Sequence, residues 1–154
     1  SDIRRGSQFI VACGSNTLRL QQSEALLAHG GALQTICHPA AIVSPSATIG
    51  PGSAVLAGAI IGPRATLGRG VIINHAASVD HDCRIGDYSN ISPGARLGGC
   101  VTTGPRIFVG LNASVLQGQH IGADATVGAG AVVTGRVEER ATVVGVPAHP
   151  VVKS

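Results

Sequence analysis

The sequence predicts an all-β chain wound into a triangular prism of short parallel strands. Three observations carry this expectation. An aliphatic residue recurs at every sixth position: Val43, Ile49, Val55, Ile61, Leu67, Ile73, Val79, Ile85, Ile91, Leu97, Val109, Val115, Ile121, Val127 and Val133. Only Thr103 breaks the series, and no insertion shifts its sixteen hexads. The next residue is Gly in nine hexads (Gly50, Gly62, Gly68, Gly86, Gly98, Gly104, Gly110, Gly122 and Gly128), and the fourth residue on is usually small, as at Ala59, Ala77, Cys83, Ser89 and Ala95.

The first forty residues lie outside this period. Phe9 to Ala12 reads as a short buried strand that stops at Gly14. Ser15 or Asn16 can cap a helix over residues 17–29, which Gly30 and Gly31 end. Leu33 to Cys37 reads as a second strand, and His38-Pro39 leads into the prism. So small a β-α-β piece cannot bury a core of its own and must dock on further chain or on the end of the prism. Its strand-Gly-Ser-Asn-helix junction can hold a phosphate at a helix N-terminus, although an ordinary turn explains the same residues. The division expected is 1–40, a partial α/β segment, and 41–154, the prism.

From Val43 onward, a period kept this long marks a repeat architecture. A helix would place its apolar residues every three or four positions instead. One bulky inward residue and one turn make one side of a coil, and three such sides close it. Sixteen hexads then give a little over five coils, about 25 Å of stack at the spacing of paired strands. Gly at a fixed offset predicts a corner with positive φ or a close backbone approach. Asn74 and Asp80 hold that offset too, and both tolerate the left-handed region. Alternating large and small inward residues suit a narrow core. Periodicity alone leaves the handedness of the coil open.

Composition narrows the function. Phe9, Tyr88 and Phe108 are the only aromatic residues, too few for base-stacking platforms. The net charge of +3 comes from ten Arg and one Lys spread along the chain with no basic run, so nucleic acid is not an expected partner. The four Cys lack metal-ligand spacing and Cys83 falls at an inward position, which fits a reducing, cytoplasmic compartment. Gly and Pro interrupt every apolar run, so no membrane span is expected.

The densest polar stretch of the repeat is Asn74-His75 followed by Asp80-His81-Asp82-Cys83. His81 stands two places after inward Val79 and should point outward near a corner. A flanking carboxylate favours the protonated imidazole and fixes its tautomer, which suits a general base. A solvated corner cluster explains these residues equally well.

The stretch from Ile72 to Ala95 resembles the nucleotide-sugar N-acetyltransferases of bacterial glycan biosynthesis and the related sialic-acid-pathway acetyltransferases, members of the hexapeptide-repeat superfamily. The tail Thr142 to Ala148 is similar to that family's C-terminal cap. The resemblance implies a left-handed parallel β-helix of about five coils, preceded by the remnant of a nucleotide-sugar-binding α/β domain. It implies acetyl-CoA as cosubstrate, no metal, a homotrimer and the amino group of a nucleotide-linked amino-deoxy sugar as acceptor. His81 then takes the role of general base and Asp82 raises its basicity. Asn74 and His75 fall on the substrate side. Asn90 falls on the cofactor side, where the family often has a histidine near the acetyl group, a departure that removes a titratable group. Gly99 supplies a backbone amide to the thioester oxygen, and the corner Gly128-Ala129-Gly130-Ala131 borders coenzyme A. Alternatives are an O-acetyltransferase of the same superfamily, a γ-carbonic-anhydrase-like metalloenzyme using His75, His81 and His120, and a non-catalytic solenoid. Rows of outward Thr, expected of an ice-binding solenoid, are missing from the sequence.

Overall fold

The structure is a computed structural model that describes residues 6–151. Almost every strand is two residues long, because each hexad spends its other residues on a corner. The strands stack into three parallel sheets, one per face of a left-handed parallel β-helix. The first face carries Ile36–Cys37, Ala54–Val55, Ile72–Ile73, Asn90–Ile91, Phe108–Val109, Thr126–Val127 and Thr142–Val144. The second runs from Ile42–Val43 to Val132–Val133, and the third from Thr48–Ile49 to His120–Ile121. Register follows the 18-residue coil, as in Val55↔Ile73, Asn90↔Ile72 and Val79↔Leu97.

The seven strands of the first face are separated by six windings, so the stack has about six coils rather than a little over five. Winding begins at Ile36, earlier than the first aliphatic hexad. It also continues past Val133, where one corner is two residues shorter and the pairing becomes Ile121↔Val137 and Val127↔Val143. The strand expected over Leu33–Cys37 divides accordingly: Ala32–Leu33 pairs with Gln8–Phe9, and Ile36–Cys37 joins the prism.

The large inward residues Val55, Ile73, Val79, Ile91 and Val109 are fully buried, and so are the small ones Ala59, Ala77, Cys83 and Ala95. Cys83 is a core residue; its thiol donates to the Gly98 carbonyl at 3.2 Å, and burial pushes it up to about 11. Thr103 keeps its place in the stack by a substitute bond: its hydroxyl accepts the Gly86 N–H at 2.9 Å.

The corners divide their two requirements between two positions. Positive φ falls three residues after the aliphatic position, at Ala76, Asp82, Tyr88 and Cys100 among others. The Gly one residue after it answers the other need. A Cβ on Gly50 would lie 2.4 Å from the Gly68 carbonyl oxygen in the next coil. Asn74 and Asp80, expected to use the left-handed region, instead turn their side chains to accept the N–H of His75 at 2.9 Å and of His81 at 2.7 Å.

The helix Asn16–Ala28 packs on the flank of the prism, not its end. Arg19 is almost wholly buried there and donates to the carbonyls of Cys13, Gly70, Tyr88 and Ser89. Desolvation lowers its guanidinium to about 10, so it remains charged at neutral pH. Asn16 donates to the carbonyls of Arg106 and Ile107 at 3.0 and 2.9 Å. The Ser15 hydroxyl caps the helix by accepting the Leu18 N–H. The residues that suggested a phosphate site are thus taken up by capping and docking.

Candidate active site

His81 projects from the corner that follows the second-face strand Ser78–Val79. Its backbone is tied by Asp80, so the neighbouring carboxylate that meets the ring is Asp82. Asp82 Oδ2 lies 2.8 Å from His81 Nδ1. The same carboxylate accepts two hydrogen bonds from Arg64, Nε at 2.7 Å and Nη2 at 2.8 Å. Arg64 and His81 together hold the Asp82 carboxyl well below the usual carboxylate range. An ionised Asp82 must accept from Nδ1, so a neutral imidazole carries its proton there and leaves the Nε2 lone pair free.

Nε2 faces the next coil, where Gly99 lies directly beneath the ring. A Cβ on Gly99 would stand 2.4 Å from Nε2. The Gly99 N–H makes no hydrogen bond among the described residues, while its carbonyl accepts the Gly118 N–H at 2.9 Å. A proton acceptor and an unused backbone donor thus share one corner, as acyl transfer requires.

Asn74 and Asn90 meet elsewhere. Both line a largely apolar cleft of about 280 Å³ between the first face and the N-terminal segment, with Val11, Cys13, Gly14 and Leu56 also on its walls. Asn90 is 6% exposed; its Nδ2 donates to the Gly14 carbonyl at 3.3 Å, and its buried Oδ1 has no partner. His75 is exposed beside Asn74. In one chain, therefore, the structure joins His81 with Asp82 and Gly99, joins Asn74 with Asn90, and does not merge the two groups.

At the far corner, Ala129 and Gly130 are exposed, and space around Gly130 is open. Gly128 is covered by Val144, since a Cβ there would lie 2.7 Å from its Cγ1. Ala131 points into the core with both backbone groups engaged, so it offers nothing to a ligand.

The histidines of the metalloenzyme alternative do not gather: His120 bonds the Thr102 hydroxyl at 2.9 Å, away from His81. The donor atoms that do gather among the described residues, on His81, Asp82 and Cys100, lie within 4.8 Å of one another. Asp82 is already engaged by Arg64 there, so an ion-pair relay describes the corner. Sequence reasoning missed Arg64 and Cys100. Each stands 18 residues from Asp82, and one-coil spacing was the signal that could have found them.

The family described as bacterial transferase hexapeptide (six repeats) matches residues 64–99. GDP-perosamine N-acetyltransferase from Caulobacter crescentus, solved as a histidine-to-alanine variant with CoA and GDP-perosamine, is 41% identical with a TM-score of 0.94, over 96% of this chain and 70% of its own. This chain belongs to the hexapeptide-repeat nucleotide-sugar N-acetyltransferases. The acetyltransferase domain of PglB from Neisseria gonorrhoeae, solved with acetyl coenzyme A, is 38% identical with a TM-score of 0.91, over 98% of this chain and 84% of its own. WeeI from Acinetobacter baumannii is 27% identical with a TM-score of 0.93, over 98% of this chain and 74% of its own. Membership in this acetyltransferase family gives the corner at His81 its chemical context. Among the described residues, no helix is long and apolar enough to cross a membrane.

Proposed function

We propose that this acetyltransferase moves the acetyl group of acetyl-CoA onto the amino group of a nucleotide-linked amino sugar, with His81 as general base. The observation that carries the assignment is the His81 ring held on Asp82 through Nδ1 with Nε2 set over Gly99. The sugar amine attacks the thioester carbonyl, and Nε2 takes its proton. The negative charge that develops on the carbonyl oxygen is met by the Gly99 N–H, an interaction worth about 3 kcal/mol in other oxyanion sites. Collapse of the tetrahedral intermediate breaks the C–S bond, and the thiolate leaves with the proton that His81 held.

Asn74, His75 and the apolar cleft serve the acceptor, and Asn90 offers its unpartnered amide oxygen there. Ala129 and Gly130 border coenzyme A. Segment 1–40 contributes to acceptor binding, and 41–154 carries the chemistry. The working unit is a homotrimer in the cytoplasm. Support for the trimer comes from the separation of His81 from the Asn74–Asn90 cleft, which a neighbouring copy can bridge. Further support comes from outward Ile42 and Ile60, which are exposed side by side on the second face.

The test is release of the CoA thiol from acetyl-CoA with a panel of GDP- and UDP-linked amino sugars and their hydroxyl analogues. Turnover of an amino sugar and none of the hydroxyl analogues is expected. His81→Ala should lower kcat/KM by about 10² to 10⁴ and leave acetyl-CoA binding intact. Wild-type turnover in that variant would remove His81 from its role.

A further inference from the structure

We propose that Arg64 is a positioning residue for the His81 base, acting through Asp82. The inference rests on the reading of His81 as the base. Arg64, Asp82 and Cys100 stack at the same corner, one coil apart. The Asp82 carboxylate meets two demands at once. Oδ1 accepts Arg64 Nε–H, while Oδ2 accepts both Arg64 Nη2–H and His81 Nδ1–H. A carboxylate alone at this corner, with its side chain 37% exposed, could turn about its Cβ–Cγ bond and leave the imidazole. The planar guanidinium fork fixes the carboxylate plane, and the plane aims Oδ2 at Nδ1. The Arg64 backbone is itself tied to the preceding coil, its N–H donating to the Ser46 hydroxyl at 3.1 Å.

Among the described residues, the same two-bond side-chain fork occurs once without a base. Arg106 holds Asp124 with bonds of 2.7 and 2.7 Å, again 18 residues apart, and no histidine shares that carboxylate. Arg106 is therefore an internal control for a purely structural fork.

The experiment uses the full chain and its Arg64→Ala, Arg64→Lys and Arg106→Ala variants. Histidine ¹⁵N NMR of the protein without substrate reads the His81 tautomer and needs no acceptor. The Nδ1–H tautomer is expected in the wild type and in Arg106→Ala, and a mixture in Arg64→Ala. With an amino sugar that the panel shows to be turned over, Arg64→Ala should lose about tenfold in kcat with KM for acetyl-CoA unchanged, and Arg106→Ala should keep both. Arg64→Lys keeps the charge without the fork, so kcat should stay low. The proposal is overturned if Arg64→Ala retains the Nδ1–H tautomer, or if its kcat stays at the wild-type value. Should no amino sugar be turned over, the acetyl-transfer reading fails, and the tautomer still decides the role of Arg64.

Discussion

Gly99→Ala puts one methyl group under the base and changes little else. The new Cβ would lie 2.4 Å from His81 Nε2, 2.5 Å from Cε1 and 3.0 Å from Cδ2, whereas ordinary contact begins at 3.4 Å. The ring must therefore retreat by about 1 Å, the shortfall at Nε2. It has somewhere to go, since the side chain is 50% exposed. Gly99 is absent from the residues with positive φ, so the alanine adds no backbone strain. The melting temperature should stay within about 2 °C of wild type, as for other surface changes. Catalysis should suffer far more. A displacement near 1 Å from attack geometry costs about 10²-fold, or about 2.7 kcal/mol of barrier. The alanine keeps its N–H, so loss of the oxyanion donor cannot account for the fall. The measurements are kcat/KM for acetyl transfer, followed by thiol release, and thermal unfolding of both proteins. An unchanged kcat/KM at an unchanged melting temperature would refute Nε2 as the working atom.

Two further outcomes concern the scaffold. Arg19→Met should leave the carbonyls of Gly70 and Tyr88 buried without their donor, costing about 3 kcal/mol and lowering the melting temperature by roughly 6–12 °C. Differential scanning calorimetry checks it, and an unaltered melting temperature would show that the helix is held by other contacts. The carboxyls of Asp82 and Asp124 are both depressed in the folded chain by their arginine partners. Their contribution to stability is therefore present above the unfolded carboxylate value of about 4 and lost as pH falls toward the folded ones. Urea midpoints should decline between about pH 5 and pH 2, and Asp124→Asn should flatten that decline. An identical decline in Asp124→Asn would remove Arg106–Asp124 from the account.

The prism was legible because its signal is one-dimensional. A residue such as Ile73 is inward by its place in the hexad, and its burial needs no knowledge of distant chain. The shortened corner before Val137 was illegible for the same reason, since dropping two residues breaks the period while the stacking continues. At the site, His81 and Asp82 are chain neighbours, and their pairing could be read directly. Arg64 could not, because its meaning comes from lying one coil above Asp82 rather than from any local motif. The Gly corners were half legible: their regular offset signalled a backbone constraint, but φ and close approach belong to different residues, and only coordinates separate them.

Sequence alone determined the period, the inward residues and the corner where polar groups replace the repetitive Gly and Ala. It could do so because each hexad contacts mainly the ones above and below at a fixed spacing. Tertiary structure alone decided that the N-terminal helix lies on the flank of the prism and that Asn90 faces a cleft rather than His81. These depend on contacts between segments as far apart as Arg19 and Ser89, whose positions no local period encodes.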